Sequence, residues 1–185
     1  MSTVAPNGRT AVVVGDGPLA ADLADGLHAR GYRRFAVLAG PAGHLTARER
    51  SESFRGALAE LGDPVPDSAV ITSTFTHEGG EDAMRALLRG GDLPELVFAV
   101  NDVMALGALA AAREAGVRVP QDVALAGFDD ISTLRDVVPA LTTVRIPLVD
   151  VGIAATELAL ADAADEPRLT HVPTEVVLRD STPGR

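Results

Sequence analysis

Short apolar runs alternate along the chain with longer segments whose apolar positions recur every three or four residues. Ala11–Val14 is rich in β-branched residues and reads as a strand, Leu19–Arg30 as a helix ended by Gly31, and Phe35–Ala39 as a second strand stopped by Gly40-Pro41. Thr46 and Glu49 have capping-box spacing, which predicts a helix over Ala47–Leu61 before Gly62-Asp63-Pro64. Val70–Thr72 reads as a short strand, Glu78–Leu88 as a helix and Leu96–Val100 as a buried strand. Asn101 can cap a helix over Asp102–Ala115, which Gly116 ends. Val123–Gly127 and Thr142–Ile146 follow as extended segments, then an alanine-rich helix over Val149–Ala163 and a last strand over Val172–Leu178. Strand and helix alternate throughout, so the expected fold is α/β with a largely parallel sheet. Both ends, Ser2–Arg9 and Ser181–Arg185, read as frayed termini.

Composition narrows the chemistry. The 185 residues carry 16 Lys and Arg against 26 Asp and Glu, a net charge of −10 that repels phosphate backbones and makes these residues a poor DNA-binding surface. Aromatic residues are only 3%, so aliphatic side chains must fill the core. There is no cysteine, which excludes disulfides, thiolate metal sites and Cys nucleophiles. His28, His44, His77 and His171 are scattered without metal-ligand spacing, and no metal site is expected. No basic-then-apolar leader opens the chain, and no apolar run approaches the ~18 residues of a membrane span, so a cytoplasmic protein is the expectation.

Four motifs invite a functional reading. Gly15-Asp16-Gly17-Pro18-Leu19-Ala20 follows a strand and opens a helix, as a dinucleotide-binding turn would. However, the next strand ends Leu38-Ala39-Gly40-Pro41 without the acid that would hold a ribose, and Pro18 removes an amide. A tight turn is the simpler reading, and no cofactor and no catalytic residue is expected. Arg48 and Arg50 stand in what reads as the first turn of a helix, where the dipole disfavours cations. They are either a solvated face or a fork of donors for ligand oxygens. Asn101-Asp102 and Gly127-Phe128-Asp129-Asp130 follow predicted strands, where open α/β sheets bind ligands. A plain helix cap and a solvated turn are the competing readings.

Taken jointly, these blocks resemble the lactose-repressor (LacI/GalR) family of transcriptional regulators. Phe98-Ala99-Val100-Asn101-Asp102-Val103-Met104-Ala105-Leu106-Gly107 resembles that family's F-A-x-N-D-x-M-A-x-G block. Gly116-Val117-Arg118-Val119-Pro120-Gln121-Asp122-Val123, Gly127-Phe128-Asp129-Asp130 and Leu141-Thr142-Thr143-Val144 follow in the family's order. Leu178-Arg179-Asp180-Ser181-Thr182 resembles its C-terminal motif, and Gly31 to Pro41 with Arg48, Arg50, Phe54 and Arg55 an upstream one.

The resemblance implies a type I periplasmic-binding-protein-like, two-lobe architecture without the family's helix-turn-helix headpiece or the first part of its N-terminal lobe. Residues 10–41 and 147–165 would form the partial N-terminal lobe, and residues 42–146 and 166–182 a complete C-terminal, effector-binding lobe. It implies a ligand-sensing domain that binds a small effector, a sugar or nucleobase, between the lobes and so controls DNA binding by a headpiece elsewhere. A stand-alone sugar-binding protein, and a truncated regulator that pairs with a full-length partner, are the alternatives. By resemblance, Arg50 clamps ligand oxygens, Phe75 stacks on the ligand's flat face, Asn101 bridges two ligand groups and Asp129 accepts from two hydroxyls. Asp16 occupies the family's D-N position with Gly17 in place of the Asn, and Ile146 makes the pocket floor more apolar. Leu106 and Val137 match positions that pack in the family's homodimer.

Overall fold

The computed structural model describes residues 11–13, 16–160, 169–172 and 174–185. Its elements, in chain order, are β1 (Ala11–Val13), α1 (Asp16–Ala29), β2 (Phe35–Ala39), α2 (Leu45–Glu60), β3 (Val70–Thr72), α3 (His77–Arg89), β4 (Leu96–Ala99) and α4 (Asp102–Glu114). Then follow β5 (Ala124–Ala126), β6 (Thr143–Arg145), α5 (Leu148–Leu160), β7 (Leu169–His171) and β8 (Glu175–Val177).

The central sheet has the order β3-β2-β4-β5, all parallel. Its two middle strands are buried along their whole length, as their unbroken apolar runs require. The chain leaves β2 toward β3 on one side and leaves β4 toward β5 on the other. With right-handed crossovers, α2 therefore covers one face and α3 and α4 the other. Helices α1 and α2 pack together, as do α3 and α4. Between them Phe54 stacks on Phe98 at 4.3 Å and meets Phe35 edge-on at 6.0 Å, so three of the five phenylalanines form one core column.

Two smaller sheets flank this unit, β1 with β7 in parallel and β6 with β8 antiparallel. The expected lobe boundary after residue 41 is corrected by this topology. β2 is hydrogen-bonded to β3 on one side and β4 on the other, and α1 packs on α2, so the sheet runs through that boundary. β7, expected within residues 166–182 of the C-terminal lobe, pairs instead with β1, beside which α5 lies.

Local departures have local causes. Helix α2 begins at Leu45 behind His44, whose side chain makes no cap, so Thr46 and Glu49 are already helical and form no capping box. The strand expected over Val172–Leu178 is the shorter β8, Glu175–Val177, and a further strand, β7, precedes it at Leu169–His171; Pro173 lies outside the described residues. Ser181–Arg185 is not frayed: Ser181 Oγ donates to Leu125 O (2.6 Å), and Tyr32 OH donates to Pro183 O (2.8 Å). Residues 2–9 and 161–163 of the expected termini and helix lie outside the described residues.

Candidate functional site at the switch point of the sheet

Strand connections diverge between β2 and β4, and the crevice beyond their carboxyl ends is where open α/β sheets bind ligands. Arg50, in the second turn of α2, reaches into it and is only 4% exposed. Its Nη1 donates to Val100 O at the end of β4 (3.0 Å), and its Nη2 pairs with Asp129 Oδ1 (2.9 Å). The guanidinium lies 3.9 Å from the ring centroid of Phe128. This desolvated, stacked fork suits bidentate recognition of oxygens, which a lysine could not reproduce. Arg48, by contrast, is half-exposed and faces Glu52 at 4.0 Å, so the solvated-face reading holds for it.

Asn101 caps α4. Its Oδ1 accepts from Met104 N (2.7 Å), and the residue is buried at 3% exposure. The cap occupies one of the amide oxygen's two lone pairs, leaving Nδ2 as the group best placed to serve a ligand. Asp129 and Asp130 close the site from the loop after β5. Both have positive φ, 119° and 55°, a region that side-chain-bearing residues avoid at a cost of about 1–3 kcal/mol each. Such strain persists only where surrounding contacts impose it. Asp129 N donates to Val144 O (2.9 Å), and the Asp129 carbonyl accepts from Ile146 N (3.4 Å), which ties the buried Ile146 to the base of the site.

Two residues beside the site carry chemistry that the sequence motifs left unassigned. The Asp130 carboxylate, 2% exposed, faces Arg145 (2.7 Å), Arg179 and, at 3.8 Å, Arg135. Burial pushes this carboxyl up, but the Arg179 and Arg145 hydrogen bonds outweigh it and hold the group below its usual range. Asp102 is fully buried and accepts from Thr143 Oγ1 (2.7 Å) and from Ile131 N (2.9 Å). Burial pushes its carboxyl up to about 6, with Asp129 and Asp130 adding to the rise and the two hydrogen bonds opposing it. An Asp in the first turn of a helix reads in sequence as a partner of the helix dipole, so nothing marked it as buried.

The structure thus brings Arg50, Asn101 and Asp129 together. Phe75 lies on the neighbouring rim past β3, half-buried, with its ring 5.4 Å from that of His44 and against Gly40, where a Cβ would meet Phe75 Cδ2 at 2.8 Å. Asp16 opens α1, but its side chain and Gly15 lie outside the described residues. The next residue, Gly17, sits against Ser53 of α2. Among the described residues β1 pairs with β7, in a two-stranded sheet separate from the central one. Among the described residues no group of three or more His, Cys, Asp or Glu could hold a metal ion, and no helix is long and apolar enough to cross a membrane. Two open grooves, of about 800 and 600 Å³, lie at the opposite edge of the sheet near Val119, Val138 and Pro139. In the polar cluster Arg50 and Asn101 are buried, while the Asp129 side chain stays 23% exposed.

A parallel sheet with a polar cluster at its switch point, flanked by two small sheets, has the α/β architecture of periplasmic-binding-protein-like domains. Comparison with known proteins agrees. Residues 24–182 match the periplasmic binding protein-like domain. The chain is 37% identical over 155 residues to the HTH-type transcriptional repressor PurR of Escherichia coli, covering 82% of this chain and 46% of the repressor, so it spans about half that protein's length. A sugar-binding transcriptional regulator of the LacI family from Escherichia coli, solved with phosphate, superposes with a TM-score of 0.82 at 28% identity, over 94% of this chain and 63% of that one. The transcriptional regulator CelR in complex with cellobiose does so with a TM-score of 0.83 at 29% identity, over 97% and 56%. The chain belongs to the periplasmic-binding-protein-like family and, within it, to the effector-binding domains of LacI/GalR-type regulators.

Proposed function

We propose that this domain binds a small polyhydroxylated effector, a sugar, with Arg50, Asn101 and Asp129, and that binding controls the DNA affinity of a headpiece outside these 185 residues. The observation that carries this reading is the convergence of those three side chains at the switch point. Arg50 donates, Asn101 offers its Nδ2 donor, and Asp129 supplies carboxylate oxygens to neighbouring hydroxyls. Phe75, on the rim, would stack on the apolar face of a sugar ring or base. Asp16 would approach from the start of α1. A second lobe built around β1, α5 and β7 would close over the ligand, and closure would be felt by paired protomers.

Leu106 and Val137 would lie in the homodimer interface. Both are half-buried against the core, and Val137 borders the 600 Å³ groove beside Leu109, Val117 and the exposed Val138. The protein acts without catalysis, cofactor or metal, in the cytoplasm. The net charge of −10 supports assigning DNA contact to another part of the protein.

Thermal unfolding against glucose, ribose, cellobiose, adenine, guanine and NAD tests the proposal. A ligand at about 100 times its Kd stabilises by ~2.7 kcal/mol, a clear shift in Tm. A shift with one sugar that disappears in Asp129→Ala is the expected result, and a shift with adenine or guanine and no sugar overturns the sugar assignment. A shift with NAD alone overturns the proposal.

A further inference from the structure

The loop Gly127–Ile131 holds two consecutive aspartates at positive φ, and their aim depends on whatever holds that backbone. Asp102 stands directly beneath it. One carboxylate oxygen accepts from Ile131 N (2.9 Å), and the other accepts from Thr143 Oγ1 (2.7 Å), which in turn accepts from Asp130 N (3.3 Å). The backbone closes the same ring, because Asp102 N donates to Phe128 O (2.8 Å). Gly127 is pressed against this carboxylate, since a Cβ there would stand 2.3 Å from Asp102 Oδ1. One buried residue therefore contacts or orders the backbone at residues 127, 128, 130 and 131, on both sides of Asp129, with its side chain reaching 127 and 131 directly and 130 through Thr143.

From this geometry we infer that Asp102 is a positioning residue for effector binding, a carboxylate clamp that holds the Gly127–Ile131 loop in the strained shape that aims Asp129 at Arg50. The inference rests on the ligand-binding reading of Asp129 and Arg50 and adds to it a dependence on the charge of a residue that touches no ligand. A charged carboxylate accepts both hydrogen bonds, whereas a protonated one gives up part of its accepting capacity. The charged groups around it are Asp129 and Asp130 on the loop, with Arg50 of α2 against the first and Arg135, Arg145 and Arg179 against the second. The two aspartates and burial raise the pH at which Asp102 ionises to about 6. The clamp is therefore complete above that pH and loosens below it, so effector affinity falls as the medium acidifies.

The test compares the wild-type chain with Asp102→Asn, Thr143→Val and Thr143→Ser. Amide hydrogen exchange, read as protection factors at Asp130 and Ile131, needs no ligand. Protection at Ile131 should drop at least about tenfold in Asp102→Asn, and at Asp130 in Thr143→Val, with Thr143→Ser restoring it and β4 amides unchanged. Unchanged loop protection in Asp102→Asn overturns the inference. Titration calorimetry with ribose and cellobiose as probes supplies the second arm. Affinity for whichever binds should fall about tenfold from pH 7.5 to pH 5 in the wild type and lose that step in Asp102→Asn. A pH step that persists in Asp102→Asn also overturns it. If neither probe nor any base binds while loop protection still depends on Asp102, the effector reading fails and the clamp stands.

Discussion

In the proposed site Asn101 would do two jobs with one amide, and the two can be separated. Its oxygen caps α4 through Met104 N, while its nitrogen is the donor assigned to the effector. Asn101→Asp keeps the acceptor and removes the donor. Equilibrium urea unfolding should then show stability within about 0.5 kcal/mol of the wild type, because Asp and Asn are nearly equal N-caps. Effector affinity measured by calorimetry should fall at least about tenfold, since a second carboxylate would stand beside Asp129 where a donor is needed. Affinity that survives Asn101→Asp would remove Asn101 from the site. Arg50 shows the same economy, with one guanidinium edge on Val100 O, another nitrogen on Asp129 and its face over Phe128.

The helices that frame the site are set by how closely they approach one another. Gly80 of α3 and Gly107 of α4 face the opposing backbone so closely that a Cβ would stand 2.1 Å from Met104 O and 2.0 Å from His77 O, respectively. These are contacts with backbone atoms, which cannot rotate away. Gly107→Ala should therefore cost about 1–3 kcal/mol in urea unfolding, the usual range for overpacking, despite alanine's better helix propensity. A neutral or stabilising result would mean that α3 and α4 can separate without loss. Because α4 carries both Asn101 and Asp102 at its start, any such separation would also displace the floor of the site. Thr76 supports the same pair at the same end, accepting from Gly79 N at 3.1 Å to cap α3.

At the scale of the whole molecule, two groups of apolar residues among the described ones bear on assembly. Leu148, Val149, Ile153 and Leu160 of α5 are exposed, beside the small β1–β7 sheet assigned to the second lobe. The other lines the 600 Å³ groove with Leu109, Val137 and Val138, and Leu106 is half-buried one turn earlier on α4. If it is the homodimer interface, a charge placed there must be desolvated on association. Val137→Asp should shift sedimentation equilibrium from dimer toward monomer, with cooperative unfolding of the central domain retained. A wild-type chain that is monomeric at millimolar concentration would remove Leu106 and Val137 from that role.

Much of this protein was legible in the order of its residues. Alternation of apolar strands with amphipathic helices, a local property, determined the α/β class and the position of most elements to within a few residues. Motifs at strand ends pointed to Asn101 and Asp129, because such positions face a crevice in any open parallel sheet, whereas Arg50, on a helix, was singled out by the family resemblance. What the sequence could not decide depended on partners distant along the chain. The sheet to which Phe35–Ala39 belongs is settled only by its pairing with Leu96–Ala99 and Val70–Thr72, and that of Leu169–His171 by its pairing with Ala11–Val13. The burial of Asp102 and Asp130 depends on Thr143, Arg145 and Arg179, residues 15 to 49 positions away, and a carboxylate in sequence carries no mark of whether water will reach it. Periodicity is written residue by residue, whereas desolvation and long-range pairing exist only once the chain has closed on itself.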